Sequence, residues 1–184
     1  SYRQKIRESG LKLLVMDDTE SNEVIHVSAD AVLNQNLYAS SGIYESEALA
    51  FRPLLGEPFI LLRTEILKRS VRERDEGERA KQIRRILISF GGSDLPNMTC
   101  MVLRQLKAYS RDLELDLVLG QANPHRVEIL REIDSCRHRI YLHEHVENMA
   151  TLYATADFVI GAGGSSCYEC LFFEVPMAVM SSAE

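Results

Sequence analysis

One local design occurs twice in this chain: an apolar strand, a glycine-rich turn, and a helix that follows at once. The first copy is Ile86–Phe90 running into Gly91, Gly92, Ser93 and Asp94. The second is Phe158–Ile160 running into Gly161, Ala162, Gly163, Gly164, Ser165 and Ser166. Strands that alternate with helices require crossover connections, which produce a parallel sheet covered on both faces. That requirement excludes all-β and helical-bundle architectures for the second half of the chain. Glycines allow close backbone approach to a ligand, and a helix N-terminus presents unpaired N–H groups with positive dipole character. Two such turns about seventy residues apart point to one anionic ligand, with a nucleotide diphosphate as the natural candidate.

Composition narrows the partners. The net charge of −6 over 184 residues argues against nucleic acid, whose backbone selects basic surfaces. No apolar stretch approaches the ~18 residues of a membrane span. Ser1–Lys5 contains neither an initiator Met nor a signal peptide, so the chain reads as processed or excised. The cysteines Cys100, Cys136, Cys167 and Cys170 do not form the pattern of a secreted disulfide framework, and a cytoplasmic location is expected.

Three short strands are expected in the first third, at Leu11–Met16, Ala29–Leu33 and Phe59–Leu62. They carry too little helix to close a core, so residues 1–65 read as the remnant of a larger Rossmann-like domain. Residues 66–85 are dominated by charges of mixed sign and read as a solvated linker. From Ile86 to the end the pattern is regular. Strands are expected at Ile86–Phe90, Leu113–Leu119, Ile140–Leu142, Ala156–Ile160 and Met177–Met180. Helices are expected at Leu95–Ser110, Pro124–Cys136, Val146–Thr155 and Ser166–Glu174. Residues 86–184 therefore read as a second α/β domain, cut just past a strand.

Each candidate site residue carries two readings. Gly91 and Gly92 either approach a ligand or only make a tight turn, and Asp94 suits a helix cap better than a phosphate contact. In the second turn, Ser165 and Ser166 can donate hydroxyl hydrogen bonds to phosphate oxygens. No Gly-Lys-Ser/Thr follows, so this is not a triphosphatase loop, and the third glycine of a dinucleotide fingerprint is replaced by Ser166. Glu169 either closes a capping box with Ser166 or accepts hydrogen bonds from vicinal ribose hydroxyls. Cys167 and Cys170 fall inside a helix without a second CxxC pair, which favours structural thiols over zinc, even with His143 and His145 nearby. His138, His143 and His145 suit surface or capping roles. Asp17 and Asp18 point to opposite faces of a strand and make a poor metal site. Asp30 and Asn34–Asn36 either line a polar cleft or satisfy loop backbone groups. No metal and no cofactor are expected.

Taken in order, these segments form a recognisable set. They are Val15–Asp18, Ala29–Asn36, Leu54–Arg63, Ile88–Asp94, Val146–Ala150, Tyr153–Asp157, and Ile160–Ser166 with Glu169 and Pro176. The set resembles the UDP-sugar hydrolases of pseudaminic acid biosynthesis, relatives of the lipid II N-acetylglucosaminyltransferase family with its two-domain GT-B fold. The resemblance implies an α/β chain: the C-terminal, UDP-binding domain of a GT-B fold plus part of the N-terminal domain. It implies UDP or a UDP-sugar as partner, with Gly91, Gly92, Ser93, Gly164, Ser165 and Ser166 near the diphosphate. Glu169 would hold the ribose and the backbone at Val146 would recognise uracil. The family's N-terminal glycine-rich loop, with its histidine base, has no counterpart in these residues. Nor has the Asn-Gln-type segment expected after the last strand. The resemblance therefore leaves the catalytic residues unassigned and implies weak binding and little hydrolysis by this polypeptide alone. A glycosyltransferase and a non-catalytic nucleotide-sugar-binding module are the alternative readings.

Overall fold

A computed structural model describes residues 2–18, 29–40, 51–68 and 82–181. Most of the charged run, residues 69–81, and the terminal residues 182–184 lie outside the described residues. The chain divides into two compact units, Ser1–Leu61 and Leu62–Glu184.

The first unit opens with α1 (Tyr2–Glu8), a helix the sequence reading did not identify. Its strands β1 (Leu14–Met16), β2 (Ala31–Asn34) and β3 (Arg52–Leu55) form a parallel sheet in the order β1-β2-β3. Val15, Ala29, Val32 and Phe51 make its small core. The strand expected at Phe59–Leu62 is not formed. Gly56, at φ 73°, turns the chain into a 3-10 turn at Glu57–Phe59, where Pro58 occupies a position whose N–H is not needed. The third strand lies earlier and contains Pro53, which is tolerated because, among the described residues, β3 pairs with β2 alone. Asp30 precedes β2 and accepts hydrogen bonds from the Leu13 amide (2.8 Å) and Lys12 (2.9 Å). Asn34 is fully buried, and its Oδ1 accepts from the Asn36 amide at 3.1 Å. The Gln35 side-chain Oε1 accepts from the Leu61 amide at 2.9 Å. These polar residues satisfy loop backbone groups, the plainer of their two readings.

The second unit begins with a short helix, α2 (Thr64–Leu67). The strands β4 (Arg85–Ser89), β5 (Glu114–Val118), β6 (Arg139–His143), β7 (Phe158–Ala162) and β8 (Met177–Met180) follow. They alternate with α3 (Met98–Leu106), α4 (Arg126–Asp134), α5 (Met149–Thr155) and α6 (Ser165–Phe172). All sheet pairings are parallel, in the order β6-β5-β4-β7-β8. Period-2 alternation along β4 sends Ile86 and Ile88 to one face and Leu87 to the other. The first face is covered by Met98, Cys100, Val102 and Leu103 of α3 and by Ile129 of α4. The second is covered by Met149, Leu152 and Tyr153 of α5, with Cys170 of α6.

Ile66 on α2 is fully buried in that second cluster. Burying an isoleucine is worth about 1.5–3 kcal/mol, enough to hold α2 to the second unit although the helix has only four residues. The structural boundary thus falls at Leu61, ahead of the expected boundary at residue 65.

Chain order reverses between β4 and β7. From β4 the chain builds outward through β5 and β6, then returns to the other side of β4 for β7 and β8. The carboxyl ends of β4 and β7 therefore flank a topological switch point, where open α/β sheets form their ligand crevice.

Candidate functional site

Both glycine turns follow these two adjacent strands, and Ser89 pairs directly with Gly161. A crevice of about 170 Å³ beside them is lined by Phe90, Ser93, Asp94 and Met98 from the first turn and by Ala162 from the second. Gly91, Gly92 and Ser93 are exposed, with Gly91 in the left-handed region at φ 78°. Gly163, Gly164 and Ser165 are exposed too, while Ser166 is half-buried. The glycines of the second turn serve different ends. A Cβ on Gly161 would sit 2.5 Å from the Ser89 carbonyl oxygen, so sheet packing demands that glycine. Gly164 has open space where its Cβ would lie, which leaves it accessible to a ligand.

The two helix N-termini are not equivalent. Helix α3 does not start at the first turn; it begins at Met98, after Asn97 in the left-handed region at φ 59°. The buried Asp94 carboxylate accepts from the Met98 amide at 2.8 Å and the Thr99 amide at 3.0 Å. Its own acidic side chain therefore occupies this N-terminus, and the first turn can offer a ligand only its loop groups. Helix α6 has Gly164 as N-cap with no side-chain capping bond. Its first two residues, Ser165 and Ser166, follow β7 directly at the switch point. Ser166 Oγ makes one long contact, 3.5 Å to the Ala162 carbonyl.

Of the two readings of Glu169, the capping box with Ser166 is not formed: Gly164 is the N-cap of α6, and the carboxylate turns inward. Glu169 is buried. It takes a bidentate ion pair from Arg63, Nε to Oε1 at 2.7 Å and an Nη to Oε2 at 2.8 Å. The Tyr153 hydroxyl donates to Oε2 at 3.0 Å. Burial first, then the neighbouring Glu169 charge, pushes the Tyr153 hydroxyl far up, so it stays protonated and a donor. The hydrogen bond to Glu169 raises the Arg63 guanidinium further. Sequence reasoning did not assign Arg63 or Tyr153 to the site. Arg63 closes the Leu54–Arg63 segment, but nothing local shows that its partner lies 106 positions away.

Val146 packs half-buried against the second core cluster, just ahead of α5. Asn148 caps that helix, accepting from the Ala150 amide at 3.0 Å. Burial pushes the Cys170 thiol up to about 12, which makes it a poor nucleophile and supports the structural reading of Cys170. No cluster of three or more metal-ligating side chains occurs among the described residues. His138 Nε2 meets the Leu106 carbonyl at 2.7 Å, and His145 Nδ1 meets the Gln121 amide at 2.8 Å.

His143 belongs to a second buried ionic group, also missed in the sequence. The Asp116 carboxylate, with no exposed side-chain surface, pairs with Arg85 Nε at 2.6 Å and with His143 Nε2 at 2.8 Å. Burial pushes its carboxyl up, but the bonds from Arg85 and His143 outweigh burial and hold it below the usual carboxylate range. A depressed folded-state pKa stabilises the fold above the unfolded value, and that contribution fades as pH falls through the folded value. Acid titration of unfolding is therefore expected to show a loss below about pH 4 that Asp116→Asn lacks. At neutral pH that variant should be about 2 kcal/mol less stable, as for loss of a charge-assisted bond. Parallel acid profiles for the two proteins would refute the assignment.

A larger cleft, about 680 Å³, lies at the opposite end of the sheet, lined by Arg84, Asp112, Glu114, Arg137 and Arg139. Four of its charged side chains form ion pairs, Arg137 with Asp112 at 3.1 Å and Arg139 with Glu114 at 3.6 Å. It also lies away from the strand ends where such sheets bind ligands.

No protein-family model matches the chain. It is 29% identical, over its whole length, to an uncharacterized protein of Methanocaldococcus jannaschii, covering 38% of that protein. It is 34% identical over 106 residues to the spore coat polysaccharide biosynthesis protein SpsG of Bacillus subtilis, covering 56% of this chain and 31% of SpsG. The chain thus spans only about a third of the length of either relative. Among solved structures, Acinetobacter baumannii MurG superposes with a TM-score of 0.63 at 17% identity, covering 97% of this chain and 48% of MurG. No helix of the described residues is long and apolar enough to cross a membrane. With its parallel sheets and this structural neighbour, the chain is an α/β protein of Rossmann-like, GT-B type.

Proposed function

We propose that the chain is the UDP-sugar-binding part of a GT-B enzyme of surface polysaccharide biosynthesis, most simply a cytoplasmic hydrolase that releases UDP from a diacetamido-trideoxy sugar. The carrying observation is the uncapped N-terminus of α6 at the switch point, with Gly164, Ser165 and Ser166 exposed or half-exposed there. An anion binds favourably at such an end through N–H groups and the helix dipole. The exposed turn at Gly91, Gly92 and Ser93 would border the same diphosphate. Glu169 Oε1 accepts one bond from Arg63, and a carboxylate oxygen has two acceptor positions, so one remains for a ribose hydroxyl. Uracil would lie against the backbone at Val146. In the reaction, a water oxygen forms a bond to the anomeric carbon as the bond to the diphosphate oxygen breaks. The serine donors would stabilise charge building on the departing UDP.

The MurG-like fold supports a second reading, in which an acceptor hydroxyl replaces water. Catalytic UDP release from the cognate nucleotide sugar without acceptor would exclude it, and strict acceptor dependence would exclude the hydrolase. For the binding site, calorimetry with UDP, UMP and ADP should show UDP preferred, and Glu169→Ala should weaken UDP roughly tenfold or more, as for loss of a bond to a charged group. Equal affinity for ADP and UDP, or an unchanged Glu169→Ala, would sink the site.

A further inference from the structure

We infer that Arg63 and Tyr153 are positioning residues that set Glu169 for the ribose hydroxyls; the inference rests on the UDP-site reading above. A carboxylate at 5% exposure is costly unless its oxygens are satisfied. The capping bond that would have supplied a backbone donor is not made. Three donors replace it: two from the Arg63 fork and one from the Tyr153 hydroxyl. A bidentate fork fixes the carboxylate plane as well as its distance, and the Tyr153 bond to Oε2 removes the remaining twofold ambiguity. Oε1, with fewer bonds among the described residues, is then the oxygen left to accept.

The two supports and the carboxylate they hold come from three separate places in the second unit, which makes the arrangement rigid. Arg63 immediately precedes α2, whose Ile66 is fully buried. Tyr153 lies on α5 and stacks on Phe173 at 5.8 Å between ring centroids. Glu169 lies on α6, one turn from the proposed diphosphate position. An uncompensated carboxylate there would repel the diphosphate, and Arg63 supplies the opposing charge. The guanidinium keeps 45% of its side-chain surface exposed, so a ligand would meet a neutral pair.

The test is the affinity ratio between UDP and 2′,3′-dideoxy-UDP, measured by calorimetry on the intact protein. The unaltered protein should favour UDP by about tenfold or more, the value of a bond to a charged group. Glu169→Gln should bring the ratio close to one. Arg63→Gln and Tyr153→Phe should each lower it at least threefold, and Arg63→Gln with Glu169→Gln should lower it no further than Glu169→Gln alone. A merely structural staple predicts otherwise: both supporting variants would lose thermal stability yet keep the full ratio, which would overturn the inference. If Arg63→Gln does not fold, Arg63→Lys and Tyr153→Phe carry the same comparison. Absence of UDP binding by the unaltered protein would overturn the UDP-site reading and this inference together. UDP binding with an unchanged ratio in the variants would overturn the inference alone.

Discussion

Alanine at Gly120 is expected to lower stability by about 3 kcal/mol, the upper range of overpacking costs. The loop after β5 crosses the first glycine turn so closely that a Cβ on Gly120 would lie 2.2 Å from the Gly92 carbonyl oxygen and 2.5 Å from Gly92 Cα. Both partners are backbone, so no rotamer change relieves the overlap and one loop must move. The matching substitution at Gly92 should cost less than about 0.5 kcal/mol, the usual range for exposed positions, because its Cβ would enter open space. Denaturant midpoints for the two variants provide the measurement. Similar losses in both would mean that the loops do not cross in this way. The displaced turn carries Gly91, Gly92 and Ser93, so the Gly120 variant should also bind UDP more weakly.

Aspartate at Ser165 is expected to separate folding from binding. An acidic residue in the first turn of α6 interacts favourably with the helix dipole, by about 0.3–1 kcal/mol, so thermal stability should hold or rise. The same carboxylate would face the proposed diphosphate. Coulomb repulsion between a unit charge and a dianion about 5 Å apart should weaken UDP roughly 100-fold, even when solvent raises the effective dielectric well above 20. Calorimetry and thermal melting on one protein sample test both halves. An undiminished UDP affinity in a well-folded Ser165→Asp would place the anion elsewhere.

Much of the second unit was legible from local pattern. All five strands and four of its helices fall where apolar periodicity and punctuation by Gly and Pro put them, usually within two or three residues. The first unit was harder to read. Pro53 masks the strand pattern of β3, and an apolar stretch after Pro58 imitated a strand. Neither signal reveals whether a neighbouring strand needs the missing N–H. At the candidate site, the glycine-rich turns were legible because glycines and helix-leading serines leave a local signature. Asp94 was correctly weighed as a cap, but its reach to Met98 and Thr99 closes the α3 N-terminus, which no spacing rule revealed. Glu169 looked like half of a capping box because box and ion pair require the same residue type.

The doubled strand–turn–helix design was enough to establish a parallel α/β unit and its two glycine-rich turns, because hydrophobic period and glycine chemistry are local properties. Strand order is not local. The β6-β5-β4-β7-β8 arrangement makes neighbours of two turns about seventy residues apart and sets them at a switch point. Only long-range packing could decide that the α6 N-terminus stays open while that of α3 is filled. The same packing brings Arg63 and Tyr153 to Glu169, because a buried charge must find its partners wherever the fold supplies them.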